Sequence, residues 1–159
     1  MLDDLILLRR FMNKIRTLIA TVLATVAASA VAAEPQYLNS GKVLKGSFPF
    51  TEAVKVGNTL YLSGQLGIVP ETQKLAPGGV KAESHQMMRN IRTILETNGY
   101  AMDNVVKCTV FLADMKEWPA FNEIYKTYFT QGKYPARSAF GVNGMAFDAR
   151  VEVECMAAK

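Results

Sequence analysis

Apolar and polar positions alternate with a period of two across residues 52–63. Glu52-Ala53-Val54-Lys55-Val56 and Thr59-Leu60-Tyr61-Leu62-Ser63 flank Gly57-Asn58, a pattern that predicts two strands joined by a tight turn. Residues 70–79 are rich in proline and glycine and predict a loop. Between Val80 and Asn98 the period lengthens, with Met87, Met88, Ile91, Ile94 and Leu95 recurring at three and four. That spacing predicts a helix, stopped by Gly99 in a left-handed cap. Alternation returns over 104–112, where Val106, Cys108, Val110 and Leu112 are expected on one face, with Lys107 and Thr109 on the other. A second helix is predicted from Glu117, with Pro119 in its first turn and a stripe of Phe121, Ile124, Tyr125, Tyr128 and Phe129. Two last strands are predicted over 138–142 and 150–156, with Asn143-Gly144 between them. In the final one Val151, Val153 and Cys155 point one way, and Arg150, Glu152 and Glu154 the other. The order ββαβαββ predicts an α+β domain: one mainly antiparallel sheet with both helices packed on one face.

Residues 1–33 have a different pattern. Met12-Asn13-Lys14-Ile15-Arg16 is a short basic start, Thr17 to Val26 is apolar apart from threonine, and Ala27 to Ala33 is nearly all alanine. This is the order of a secretory signal peptide, with cleavage expected near Ala32 or Ala33. The apolar run is shorter than the roughly 20 residues of a membrane span, so no stable membrane association is expected after cleavage. Asp3 and Asp4 suit a signal start poorly, which makes Met12 a candidate for the true start. The implied location is periplasmic or secreted, and cytoplasmic if the leader does not function. An extension over 34–45 then precedes a domain over 46–159.

Charge changes once the leader is set aside. Residues 1–33 carry Arg9, Arg10, Lys14 and Arg16 against Asp3 and Asp4, so the remainder holds 14 Lys and Arg against 12 Asp and Glu, a net +2. That balance lacks the basic stripe of a nucleic-acid binder. The chain has one histidine and two cysteines without a CxxC, which leaves almost no ligands for a zinc or iron site. His85 falls with Arg89, Arg92 and Glu96 on the polar side of its helix and is read as solvated. Cys108 and Cys155 fall on apolar strand faces; they are read as two small core thiols, with a disulfide between adjacent strands as the alternative.

Two residues on what read as neighbouring C-terminal strands carry candidate chemistry. Arg137, in Tyr134-Pro135-Ala136-Arg137-Ser138, offers a fork of donors that matches a carboxylate. Glu152, in Val151-Glu152-Val153-Glu154, can orient or activate water. The bland alternative for Glu152 is a solvated charge on an exposed sheet face.

Five segments together resemble the reactive intermediate deaminase family (RidA, or YjgF-like, also described as the L-PSP endoribonuclease family). They are Val56-Gly57-Asn58 leading into Leu62-Ser63-Gly64-Gln65, then 105–114 (VVKCTVFLAD), then Phe121-Asn122-Glu123-Ile124-Tyr125-Lys126 through Phe129, then 134–138, then 151–154. The resemblance runs from about Gly46 to Ala158. It implies a chorismate-mutase-like fold assembled as a homotrimer, with sites in clefts between subunits. It implies hydrolysis of 2-imino acids or their enamine tautomers, such as 2-aminoacrylate, 2-iminopropanoate and 2-iminobutanoate, to 2-keto acids and ammonia, with no metal or other cofactor. By position it makes Arg137 the clamp for the substrate carboxylate and Glu152 the residue that positions water. Ser63, Gly64 and Asn122 then line the pocket, Ala139 contributes its backbone, and Phe50 stands where many members have tyrosine. Phe50 is equally readable as an aromatic packed beside Phe48. Met145-Ala146 replaces a frequent Leu-Pro. Two alternatives accompany this reading: a non-catalytic, small-carboxylate-binding or chaperone-like trimer, and an endoribonuclease, which the modest charge disfavours.

Overall fold

The computed structural model describes residues 6–14 and 32–159. Residues 6–14 are helical and form part of a unit separate from 33–159; residues 15–31 of the expected leader, including its apolar run, lie outside the described residues. Among the described residues no helix is long and apolar enough to cross a membrane.

The hairpin forms as the alternation requires. Strands β2 (Ala53–Val56) and β3 (Thr59–Leu62) pair antiparallel, with Val56 opposite Thr59 and Gly57 at φ 57° in the turn. A short strand β1 (Gln36–Leu38) adds to β2 from within the expected extension. After Ser63-Gly64 the chain continues as β4 (Gln65–Leu66), and β5 (Ile68–Val69) pairs with β6 (Lys74–Leu75), so the segment expected as loop contains half of a small hairpin. Helix α1 (Gly79–Thr97) buries Met87, Met88, Ile91, Ile94 and Leu95 completely. It ends where expected: Gly99 has φ 78°, and Tyr100 N–H donates to Leu95 O at 2.9 Å. Strand β7 (Val105–Leu112) follows, then α2 (Trp118–Tyr125), edge strand β8 (Ala136–Gly141) and β9 (Val151–Ala158).

The main sheet runs β1-β2-β3-β9-β7-β8, with β4 also pairing to β9. Its pairings are antiparallel except that of β7 with β8, which the crossover through α2 makes parallel. Leu60, Val110, Val151, Val153 and Phe121 are fully buried in the core between sheet and helices.

Three sequence expectations need correction. Val106 does not join Cys108 and Val110: it is 47% exposed, because a bulge between Val105 and Lys107 adds a residue and Val105 takes the buried place. Cys108 and Cys155 are not free thiols. They lie directly opposite on β7 and β9, with Cα atoms 4.2 Å apart, and form a disulfide in the core. The strands of Arg137 and Glu152 are not neighbours either, since β7 lies between β8 and β9. His85 is exposed, as expected, but it also contacts Tyr128 through Nδ1 at 3.1 Å, and the Tyr128 hydroxyl donates to its carbonyl.

Candidate active site

Arg137 stands in register with Cys108, on the face of the sheet that the helices cover. Its guanidinium lies 4.5 Å from the Trp118 ring centroid and 4.6 Å from that of Tyr125, with Phe121 at 5.7 Å, so α2 supplies cation–π contacts. Nη2 donates to Asn122 Oδ1 at 2.8 Å, which fixes the plane of the fork. Burial pushes the Arg137 pKa down from its ordinary value, with Tyr125 opposing; a guanidinium keeps its charge under such a shift. Burial pushes Tyr125 up to about 12, so it stays neutral near pH 7. Among the described residues no carboxylate pairs with Arg137. A cleft of about 400 Å³, lined by Asn122, Tyr125, Lys126, Tyr134, Pro135 and Arg137, opens beside it. A half-buried, unneutralised guanidinium at an open cleft is suited to receive a carboxylate. Ala139, two residues along the same strand face, packs partly buried against the core and offers only its backbone to a ligand.

Glu152 belongs to the other face. It registers with Phe111, which registers with Phe140, while Val151 and Val153 on either side of it are fully buried. Its half-buried carboxylate lies against Gly64: a Cβ built there would overlap Oε1 and come within 2.9 Å of Cδ. Glycine at 64 is therefore what lets the backbone pass beside the acid. Burial, and secondarily Glu154, pushes the Glu152 pKa up. Ser63 lies next in the chain, and its hydroxyl donates to Thr51 O at 2.6 Å while its N–H donates to Glu52 O at 3.0 Å. Those two bonds hold the segment that carries Phe50. The Phe48 and Phe50 rings lie tilted against each other with centroids 5.3 Å apart, and Phe50 is half exposed. Phe48, Phe50, Gly64, Leu66, Phe147 and Glu152 are among the walls of a cleft of about 580 Å³.

The expected residues thus fall into two half-sites. Arg137, Asn122 and Ala139 belong to the first; Glu152, Gly64, Ser63 and Phe50 belong to the second. Opposite sheet faces separate them within one protomer. Supporting residues went unread in the sequence. Asn90 is buried in α1 and donates through Nδ2 to Leu66 O and Ile68 O at 3.0 and 2.8 Å, which holds β4 and β5 beside Glu152. Gln86 donates to Asn90 Oδ1 at 2.8 Å. Glu83 Oε2 accepts from Arg150 N–H at 2.7 Å and anchors the start of β9, and burial pushes its pKa up. The legible signal was polar residues at 83, 86 and 90 in the phase of the apolar stripe. Among the described residues no group of His, Cys, Asp and Glu could hold a metal ion.

The family model described as Endoribonuclease L-PSP matches residues 41–159. The mouse protein named 2-iminobutanoate/2-iminopropanoate deaminase is 48% identical over 109 residues, covering 69% of this chain and 80% of its own. The human protein of the same name is 42% identical, covering 69% and 79%. The crystal structure of RidA from an Antarctic Psychrobacter superposes with a TM-score of 0.73 at 36% identity, covering 78% of this chain and 99% of that one.

Proposed function

The chain belongs to the endoribonuclease L-PSP family, the family of the reactive intermediate deaminases, and from that membership we propose that it hydrolyses 2-imino acids to 2-keto acids and ammonia. The observation that carries the reading is Arg137, a guanidinium clamped by Asn122, Trp118 and Tyr125 and without an anionic partner among the described residues. It takes the substrate carboxylate. A protonated imine is already electrophilic at C2, so the site needs chiefly orientation, a held water and a route for protons. Water adds to C2, the C–N bond breaks, nitrogen leaves as ammonia, and the oxygen remains as the keto group. Glu152 holds the water, accepts one of its protons as the C–O bond forms and passes it to the nitrogen. The remaining hydroxyl proton goes to Glu152 as the C–N bond breaks and the carbonyl forms, and leaves with the ammonia as ammonium.

Because the two half-sites face opposite ways, we assign the working site to a junction between copies in a homotrimer. One subunit supplies Arg137, Asn122 and the Ala139 backbone; the next supplies Glu152, Gly64, Ser63 and Phe50. The test is the decay of imines generated in situ by an amino-acid oxidase. The protein should accelerate it, and Arg137→Ala should lower kcat/KM by about 100-fold or more, as expected for removal of a charge-assisted anchor. Full activity in that variant would overturn the assignment.

We place this activity outside the cytoplasm. The disulfide between Cys108 and Cys155 supports the reading, because structural disulfides persist in oxidising compartments, and so does the order of residues in the leader. Cell fractionation with sequencing of the mature N-terminus tests it; a cytoplasmic protein that retains residues 12–33 would refute it.

A further inference from the structure

Resting on the deaminase reading, we propose that the Glu152 half-site selects 2-imino acids with large apolar or aromatic side chains over those with a methyl or ethyl group. Three phenyl rings set this preference. Phe48, Phe50 and Phe147 are 41%, 48% and 69% exposed, yet all three border the same cleft. Exposed aromatic groups gathered on one concavity mark a surface that gains by covering apolar matter. Phe147 reaches the cleft from the turn over Ala146–Asp148 between β8 and β9, where Phe147 and Asp148 have φ 60° and 57°. Two successive left-handed residues, one of them bulky, are uncommon, and such strain collects at ligand-binding positions. The turn is held by Asp148 N–H donating to Met145 O at 3.2 Å and Ala149 N–H to Ala146 O at 3.2 Å.

The distribution of polar groups points the same way. The Asn90 amide faces the cleft but is engaged with Leu66 O, Ile68 O and Gln86. The amides of Gln65 and Gln73 on the same walls are engaged too, Gln65 Nε2 donating to Ser63 O at 3.0 Å and Gln73 Nε2 to Val43 O and Pro70 O at 3.0 and 2.9 Å. Glu152, beside the Gly64 backbone, is left as the acid of the cleft, and Lys45 is the other charged residue on its walls. A 2-imino acid with an apolar side chain has all its polar atoms on C1 and C2, so those atoms belong beside the charged Glu152 and the side chain against the phenyl walls. About 580 Å³ lies in the range of pockets that hold drug-sized molecules. A methyl side chain would leave most of that apolar wall in water.

The test compares imines generated in situ from alanine, 2-aminobutyrate, leucine and phenylalanine. For the leucine- and phenylalanine-derived imines kcat/KM should exceed the alanine-derived value by about tenfold or more, the scale set by filling an apolar pocket. Phe147→Ala, at a position 69% exposed, should cut the phenylalanine-to-alanine ratio at least about fivefold. Calorimetry should show phenylpyruvate binding more tightly than pyruvate to the wild type, with the gap narrowed in the variant. Brisk turnover of the alanine-derived imine with equal or slower turnover of the phenylalanine-derived one overturns the selectivity and leaves the deaminase standing. Failure to hydrolyse any of the four removes both.

Discussion

Pairing two inactive subunits tests the division of the site most directly. Arg137→Ala removes the proposed carboxylate anchor from the helix-covered face, and Glu152→Ala removes the proposed water-holding acid from the opposite face. Each homo-oligomer should retain less than about 1% of wild-type activity, since each lacks a group acting in every site. A head-to-tail ring of three has three junctions, each drawing Arg137 from one subunit and Glu152 from the next. A junction in a mixed ring is intact only when the Glu152→Ala subunit supplies the arginine and the Arg137→Ala subunit supplies the glutamate. Random 1:1 assembly makes about one junction in four intact, so about 25% of wild-type activity should return. Tandem purification through two different tags selects mixed rings. Whether composed 2:1 or 1:2, such a ring has one intact junction of three, or about 33% of wild-type activity. The assay is imine decay after co-refolding, with the oligomer mass measured in the same samples. Mixed rings that stay at parental activity would show that both groups act within one subunit, contrary to their placement on opposite faces.

Three further outcomes are expected. Gly64→Ala places a methyl on the Glu152 carboxylate, so kcat should fall by about 100-fold while the thermal midpoint changes little, because the acid can swing outward; kcat near wild type would refute the close approach as a requirement. The double variant Cys108→Ala/Cys155→Ala releases a 47-residue separation, which should cost about 4 kcal/mol of unfolding free energy in denaturant titration; an unchanged midpoint would show that the disulfide does not form. The raised pKa of Glu152 means that the folded state holds this proton more tightly than the unfolded chain does. The resulting destabilisation is absent below about pH 4.5 and develops as pH rises through the folded pKa. Glu152→Gln should therefore be more stable than wild type at pH 7, by about 1 kcal/mol or less for a partly hydrated acid, equal to it at pH 4, and inactive at both. In the wild type, activity should rise with pH through that same raised pKa; a stability gain that persists at pH 4 would contradict the account.

Legibility followed the range of the physical cause. Periods of two and 3.6 are local, so the β2–β3 hairpin, the buried stripe of α1 and the inward Val151, Val153 and Cys155 could be read from spacing alone. Val106 could not, because a bulge is a property of the paired strands and the sequence of β7 alternates straight through it. Pairing of Cys108 with Cys155 depended on β7 and β9 becoming neighbours, a long-range fact that apolar surroundings left open. The same long-range fact misplaced the two catalytic candidates. Fifteen residues and a turn signal made their strands look adjacent, but the crossover through α2 sends β8 to the far side of β7 and runs it parallel. In register with Cys108, Arg137 faces the helices; in register with Phe111, Glu152 faces away from them. A pair that reads in sequence as one site therefore lies, in the fold, on opposite faces of one sheet, and the chemistry proposed for it calls for a second copy of the chain. On that proposal the face of the sheet bearing Glu152 is no solvated surface carrying an incidental acid. It is the surface on which one subunit would hold its water against the arginine of the next.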